Sequence, residues 1–187
     1  SLFFSIPLVL GGLGLALGFR AGLFNIGGKG QIIFGALSAV WVGFAMNLPP
    51  VIHTLVALLA AMVAGALYAG IAGVLKAKTG ANEVIVTIML NSIATLALGY
   101  ILSKPSWQVP GSNQPQTPKV ADSAAFARIL DAPFKIHMGV FVALLAVIIF
   151  WWLIERSTLG FEIRAVGANP EAARTAGISV GKITAIT

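Results

Sequence analysis

The chain has 187 residues, 58% of them hydrophobic and 10% charged, with a net charge of +6 and a mean hydropathy of +0.94. A soluble domain carries about 25% charged residues, so composition excludes an ordinary soluble domain and points to a membrane protein. The positive balance is not a nucleic-acid footprint, because the basic residues sit between apolar runs, where they set orientation.

Charges are segregated. None occurs from Ser1 to Phe19, Gly30 to Leu75, Val84 to Ser103 or Ile136 to Ile154. A spanning helix needs about 20 apolar residues, so the second run holds two spans and each of the others about one. The expected fold class is an all-α polytopic membrane protein with five to six transmembrane helices in this fragment, and spans near 3–19, 31–47, 51–75, 84–103 and 137–154.

After the first span, Gly22-Leu-Phe-Asn-Ile-Gly-Gly-Lys-Gly-Gln31 interrupts the apolar pattern. The GxxxxGK[ST] spacing of a phosphate loop is missing, which rejects nucleotide binding. Two readings stand, a plain turn or a broken helix whose free backbone groups line a cavity. Apolar Phe24 and Ile26 favour the second. Pro49-Pro50 separates the next two spans as a tight turn. The third span carries a ridge of small residues at i+4 spacing, Ala57, Ala61, Gly65, Ala69 and Gly73, suited to close helix approach; static packing is preferred to a moving interface. A short polar link, 76–83, leads to the fourth span.

That span has a polar stripe of Thr87, Asn91 and Thr95, with Ser92 beside it. An amide in hydrocarbon needs partners, so Asn91 either bonds another helix or lines a solute path. The connection over 104–136 is long and proline-bearing, with an interfacial helix expected around Ala121–Leu130. His53 and His137 lie near span ends without a partner at ligand spacing, which favours structural or interfacial roles. Zero cysteines exclude thiolate metal sites, and no catalytic carboxylate pair, nucleophile–base set or metal cluster is present in the pattern.

The polar stretch 155–182 carries helix start and stop signals. Asn169 suits an N-cap, Pro170 the first helical position, Glu171 the positive end of the dipole, and Gly177 a left-handed stop. A capped helix of roughly two turns between spans is a shape for docking onto something outside lipid. A sixth span is expected from about Lys182. If 155–182 is cytoplasmic, parity makes 104–136 external, and the basic residues divide eight inside (Arg20, Lys29, Lys76, Lys78, Arg156, Arg164, Arg174, Lys182) against four outside (Lys104, Lys119, Arg128, Lys135), in keeping with the positive-inside rule. Both ends read as cut, as in the middle of a longer permease.

The stretch Gly22–Gln31, the stretch Gly80-Ala-Asn-Glu-Val-Ile-Val-Thr-Ile-Met-Leu-Asn91 and the stretch Arg164-Ala-Val-Gly-Ala-Asn-Pro-Glu-Ala-Ala-Arg-Thr-Ala-Gly-Ile178 together resemble permease subunits of bacterial ABC importers. The branch is the one serving simple sugars, nucleosides and branched-chain amino acids, and the look is nearest to nucleoside or simple-sugar permeases. The resemblance implies a partial importer transmembrane domain over 1–187, in a bacterial plasma (inner) membrane. It also implies that the Asn169–Gly177 helix is gripped by a cytoplasmic ABC ATPase and that the Phe24–Gln31 region lies near the translocation path. Lys29 departs from it, since many relatives carry an acidic residue there.

The residues expected to couple to the ATPase are Gly160, Arg164, Gly167, Asn169, Pro170, Glu171, Ala172, Ala173, Arg174, Gly177 and Ile178. Ala172, Ala173 and Ala176 would permit close seating, with Glu171 and Arg174 at the rim. Asn25, Gln31, Thr87, Asn91 and Thr95 are expected along the translocation path, as neutral groups suited to an uncharged, hydroxyl-bearing solute. ATP is expected on the partner subunit and no cofactor on this chain. The other expected partners are a second permease subunit, an extracytoplasmic solute-binding protein and membrane lipid, but no nucleic acid. The competing readings are an ion-coupled secondary transporter, against which the absence of Asp, Glu, Lys and Arg inside the runs weighs, and a membrane scaffold without transport activity.

Overall fold

The fold is described from a computed structural model over residues 2–109, 111, 114–126, 128–130 and 136–187. Helices α1 (Leu2–Arg20), α2 (Gly28–Ala45), α3 (Pro50–Thr79) and α4 (Glu83–Leu102) come first. Two short antiparallel strands follow, β1 (Arg128–Leu130) and β2 (Ile136–His137), then α5 (Gly139–Arg156), α6 (Thr158–Ala168), α7 (Pro170–Thr175) and α8 (Val180–Ile186). The chain is an all-α polytopic membrane protein. Among the described residues α3, α4 and α5 are long and apolar enough to cross a bilayer, and α1 adds a shorter apolar stretch over Phe4–Arg20. Large apolar side chains such as Leu59, Met62, Leu67, Ile148 and Trp152 stand more than half exposed, which in hydrocarbon is no penalty.

Local chemistry sets the helix ends. Pro50 opens α3, where a missing N–H costs nothing. Gly80, at φ +69, closes the same helix with its N–H on Lys76 O at 3.0 Å, a left-handed stop. Asn82 Oδ1 then accepts from Val84 N at 3.0 Å, and Lys76 pairs with Glu83 at 2.8 Å across the link.

Two stretches differ from the sequence expectation. The interfacial helix over Ala121–Leu130 does not form: Asp122–Ala124 is a single 3-10 turn and Arg128–Leu130 pairs as a strand, while residue 127 lies outside the described residues. The 155–182 stretch holds an additional 11-residue helix, α6, ahead of α7.

The described chain divides into two compact units. The first comprises Ser1–Asn25, Ala72–Val84 and Phe126–Thr187. Its core is Ala21, Ile163, Val166, Ala173 and Ile183, with Leu17, Leu23, Leu159, Ile178 and Val180 packed against it. Two glycines let α6 lie directly on backbone. A Cβ on Gly160 would run into Leu153 O and Ile154, and one on Gly167 into Arg20 O.

The second unit comprises Ile26–Ile71 and Ile85–Ala125. Here the middle of the small-residue ridge of α3, Ala61 and Gly65, packs on α2: a Cβ on Gly35 would meet Ala61 O at 3.1 Å, and one on Gly65 would meet Gln31 O at 3.5 Å. His53 is fully buried, with Nε2 on Val42 O at 3.0 Å and Nδ1 on Ser123 Oγ at 2.8 Å. A carbonyl only accepts, so Nε2 carries the hydrogen. With Ala121 N donating to Gly43 O at 2.9 Å, this pins 121–123 against α2 and α3, a structural role for that histidine. The role of the His137 side chain lies outside what is described.

Three substitutions test this packing. Gly167→Val should destabilise the solubilised protein by about 1–3 kcal/mol through overpacking against immovable backbone, read as a lowered thermal midpoint. Gly12→Ala, with nothing within 4 Å of its Cβ, should leave that midpoint level or raised. His53→Phe strands the Ser123 and Val42 partners at a cost of about 1–3 kcal/mol and should speed proteolytic cutting within 104–126.

Candidate functional site

The polar end of the first unit is built from three helix breaks in 21 residues. At the first, α5 passes to α6 through Ser157 alone. Its Oγ donates to Leu153 O at 2.6 Å and accepts from Gly160 N at 2.9 Å, so one hydroxyl closes α5 and caps α6. At the second, Asn169 ends α6 and starts α7. Its N–H donates to Ala165 O at 3.1 Å, and its Oδ1 accepts from Glu171 N at 3.0 Å and Ala172 N at 3.1 Å. At the third, Gly177 sits at φ +85, donating to Arg174 O, while Ile178 N donates to Ala173 O, each at 3.0 Å. This pair of bonds is the Schellman stop, with the C″ residue Ile178 packed beside the C3 residue Ala173.

The expected coupling residues therefore fall in one unit but do different jobs. Gly160 and Gly167 permit backbone contact, and Asn169, Pro170, Gly177 and Ile178 shape α7. Ala173 is 4% exposed and turned into the core, so it is not available for seating a partner. The outward face of α7 consists of Glu171, Ala172, Arg174 and Thr175, with Ala176 just beyond. Glu171 and Arg174 pair with each other at 3.1 Å, an exposed contact worth little. Among the described residues nothing hydrogen-bonds the buried Nη1 of Arg164.

Of the expected path residues, Gln31, Thr87, Asn91 and Thr95 lie in the second unit, whereas Asn25 belongs to the first, near Gly18. Asn91 spends both ends of its amide on backbone: Oδ1 accepts from Gly30 N at 2.8 Å and Nδ2 donates to Ile26 O at 2.8 Å. Thr87 is buried, and its Oγ1 accepts from Ile26 N at 3.4 Å. Thr95 and Ser92 return their hydroxyls to Asn91 O and Ile88 O of their own helix. The stripe thus divides into two residues that hold another segment and two that do not.

Sequence reasoning missed Ser157, Tyr68 and the tight seat of Gly30. Tyr68 donates to Leu90 O at 2.6 Å and stacks on Phe34 with centroids 4.3 Å apart. A Cβ on Gly30 would stand 2.7 Å from its ring. The signals were present, as a serine one residue before a Thr-Leu-Gly helix start and a tyrosine three residues along from Gly65, but neither names its partner.

Over residues 1–187 the chain matches the family described as branched-chain amino acid transport system / permease component. It is 46% identical to the guanosine ABC transporter permease protein NupP of Bacillus subtilis (strain 168) over 184 residues, covering 94% of this chain and 51% of that protein. It is 39% identical to the glucose ABC transporter permease protein TsgB13 of Haloferax volcanii, covering 94% and 48%, and 35% identical to the nucleoside ABC transporter permease protein NupB of Lactococcus lactis subsp. cremoris, covering 92% and 50%. The chain spans about half the length of these curated relatives. No solved structure matches it. An apolar, helical, multi-pass chain matched from its first residue to its last by one permease family is a member of it: this protein belongs to the branched-chain amino acid transport system permease family.

Proposed function

We propose that this chain is part of a permease subunit of an ATP-driven importer of nucleosides or simple sugars, and that α7 is the element through which a cytoplasmic ATPase moves it. The observation that carries the reading is the construction of α7. One face is locked into a core with Ala21, Ile163, Val166 and Ile183, while the other presents small and polar side chains outward. A push on that face goes straight into α6, whose two glycines rest on the backbone at the ends of α5 and α1. Nothing soft intervenes.

In this reading residues 155–182 face the cytoplasm and 104–136 the outside, the orientation favoured by the eight-to-four division of basic residues. Two permease subunits, identical or related, enclose the path, and an extracytoplasmic solute-binding protein delivers the solute. ATP binds and is hydrolysed on the partner subunit, and this chain performs no bond chemistry. The proposed solutes rest on the relatives named for guanosine, nucleoside and glucose transport.

Co-purification decides between this and an ion-coupled transporter. The full transporter in mild detergent should retain an ATPase subunit, and Ala172→Trp on the exposed face should cut that retention about tenfold or more without lowering permease yield. Retention unchanged by the tryptophan would remove α7 from the docking surface. Gly177→Val forces a β-branched residue into left-handed backbone at a cost of about 1–2 kcal/mol, and is expected to abolish ATP-dependent uptake while the protein still reaches the membrane.

A further inference from the structure

A helix start leaves its first N–H groups without intrahelical acceptors, and the chain just ahead of α2 is non-helical. In hydrocarbon such backbone must be satisfied by protein. Here a single side chain satisfies one donor and one acceptor at once. The Asn91 amide bridges Ile26 O and Gly30 N, both at 2.8 Å, like one missing rung of a helix.

Its surroundings hold it to that geometry. Gly30 has no room for a Cβ, which would lie 2.7 Å from Tyr68 Cε1, 3.2 Å from Asn91 Oδ1 and 3.4 Å from Ala94 Cβ. Tyr68 cannot yield easily, being tied to Leu90 O and stacked on Phe34. One turn before Asn91, Thr87 holds Ile26 N. Glycine, tyrosine, threonine and amide together set the distance between α4 and the start of α2.

We propose that Asn91 is a positioning residue of the transport path: its amide replaces the missing helical turn before α2 and fixes Ile26–Gly30 as a rigid lip, without contacting the solute. This rests on the permease reading above. An amide pinned at both ends by backbone is held to the lip and cannot turn to follow a passing hydroxyl, so its loss lowers the rate of transport rather than the affinity for solute.

The test uses the full transporter in cells or proteoliposomes. In Asn91→Asp an ionised carboxylate still accepts from Gly30 N–H but repels Ile26 O, and protonation restores a donor and an acceptor. Tyr68 is the titratable side chain packed at this point, and Lys29 is the exposed charge next to Gly30; wild-type uptake over the same pH range controls for both. At about pH 8, where a carboxylic acid is ordinarily ionised, the variant's Vmax should fall about tenfold, the equivalent of one hydrogen bond, with KM within about twofold of wild type. Acidification should restore it. Asn91→Leu should stay low at every pH.

A single cysteine at Ile26, whose side chain is 50% exposed, should react with a thiol reagent severalfold faster in Asn91→Leu than beside Asn91, in the absence of solute. A raised KM with unchanged labelling would assign Asn91 to solute contact and overturn the proposal, as would full uptake by Asn91→Leu. If the wild-type complex shows no ATP-dependent uptake, the permease reading fails while the labelling result still decides whether the amide holds the lip.

Discussion

Lipid offers no hydrogen bonds, so each place where a helix stops inside or beside the bilayer has to be finished by the protein itself. The described chain meets that demand with a few side chains. Ser157 finishes α5 and begins α6, Asn169 does the same between α6 and α7, and Asn91 supplies the start of α2 from another helix. Where side chains cannot serve, glycine removes bulk so that backbone can meet backbone, as at Gly160 and Gly167. The segments proposed to serve transport lie at these interruptions, where a helical membrane protein can turn.

This logic gives the first unit its mechanical character. A helix of six residues has little stability alone. Held by a cap, a Schellman stop and Ala173 in the core, α7 becomes a fixed projection of a larger body. The same residues fix its outward surface: with Ala173 inside, the small side chains that face out are Ala172 and Ala176. The core alanine and the exposed alanines look identical in sequence and are distinguished only by the turn of the helix.

What was legible in the sequence was local. Asn169, Pro170 and Gly177 announce α7 because each acts on backbone within a few residues of itself, and the charge-free runs announce the membrane because hydrocarbon acts on composition. Helix α6 escaped notice since its starting signal, Ser157, lies three residues beyond the apolar run, after Glu155 and Arg156, and its interior carries Glu162 and Arg164, which read as loop. The expected helix at Ala121–Leu130 failed for the opposite reason: its composition permits a turn of helix, but Ala121 N and Ser123 are claimed by Gly43 O and His53 from distant segments. Long-range partners of that kind leave no mark in the residues they override.

The polar stripe of α4 carries this point furthest. Read from spacing, Thr87, Asn91 and Thr95 are equivalent groups facing a common path, and their neutrality suggests an uncharged solute. In the fold they are not equivalent. Thr87 and Asn91 are engaged with the backbone before α2, and Thr95 bonds its own helix at 2.9 Å. Residues tied to backbone are oriented by that backbone, so their common spacing does not show that they face a solute together. The neutrality of the stripe therefore follows from its structural work: an ionised side chain there could not both donate and accept. For that reason it says nothing about the charge of what passes, and the proposed solute class stands on the relatives alone.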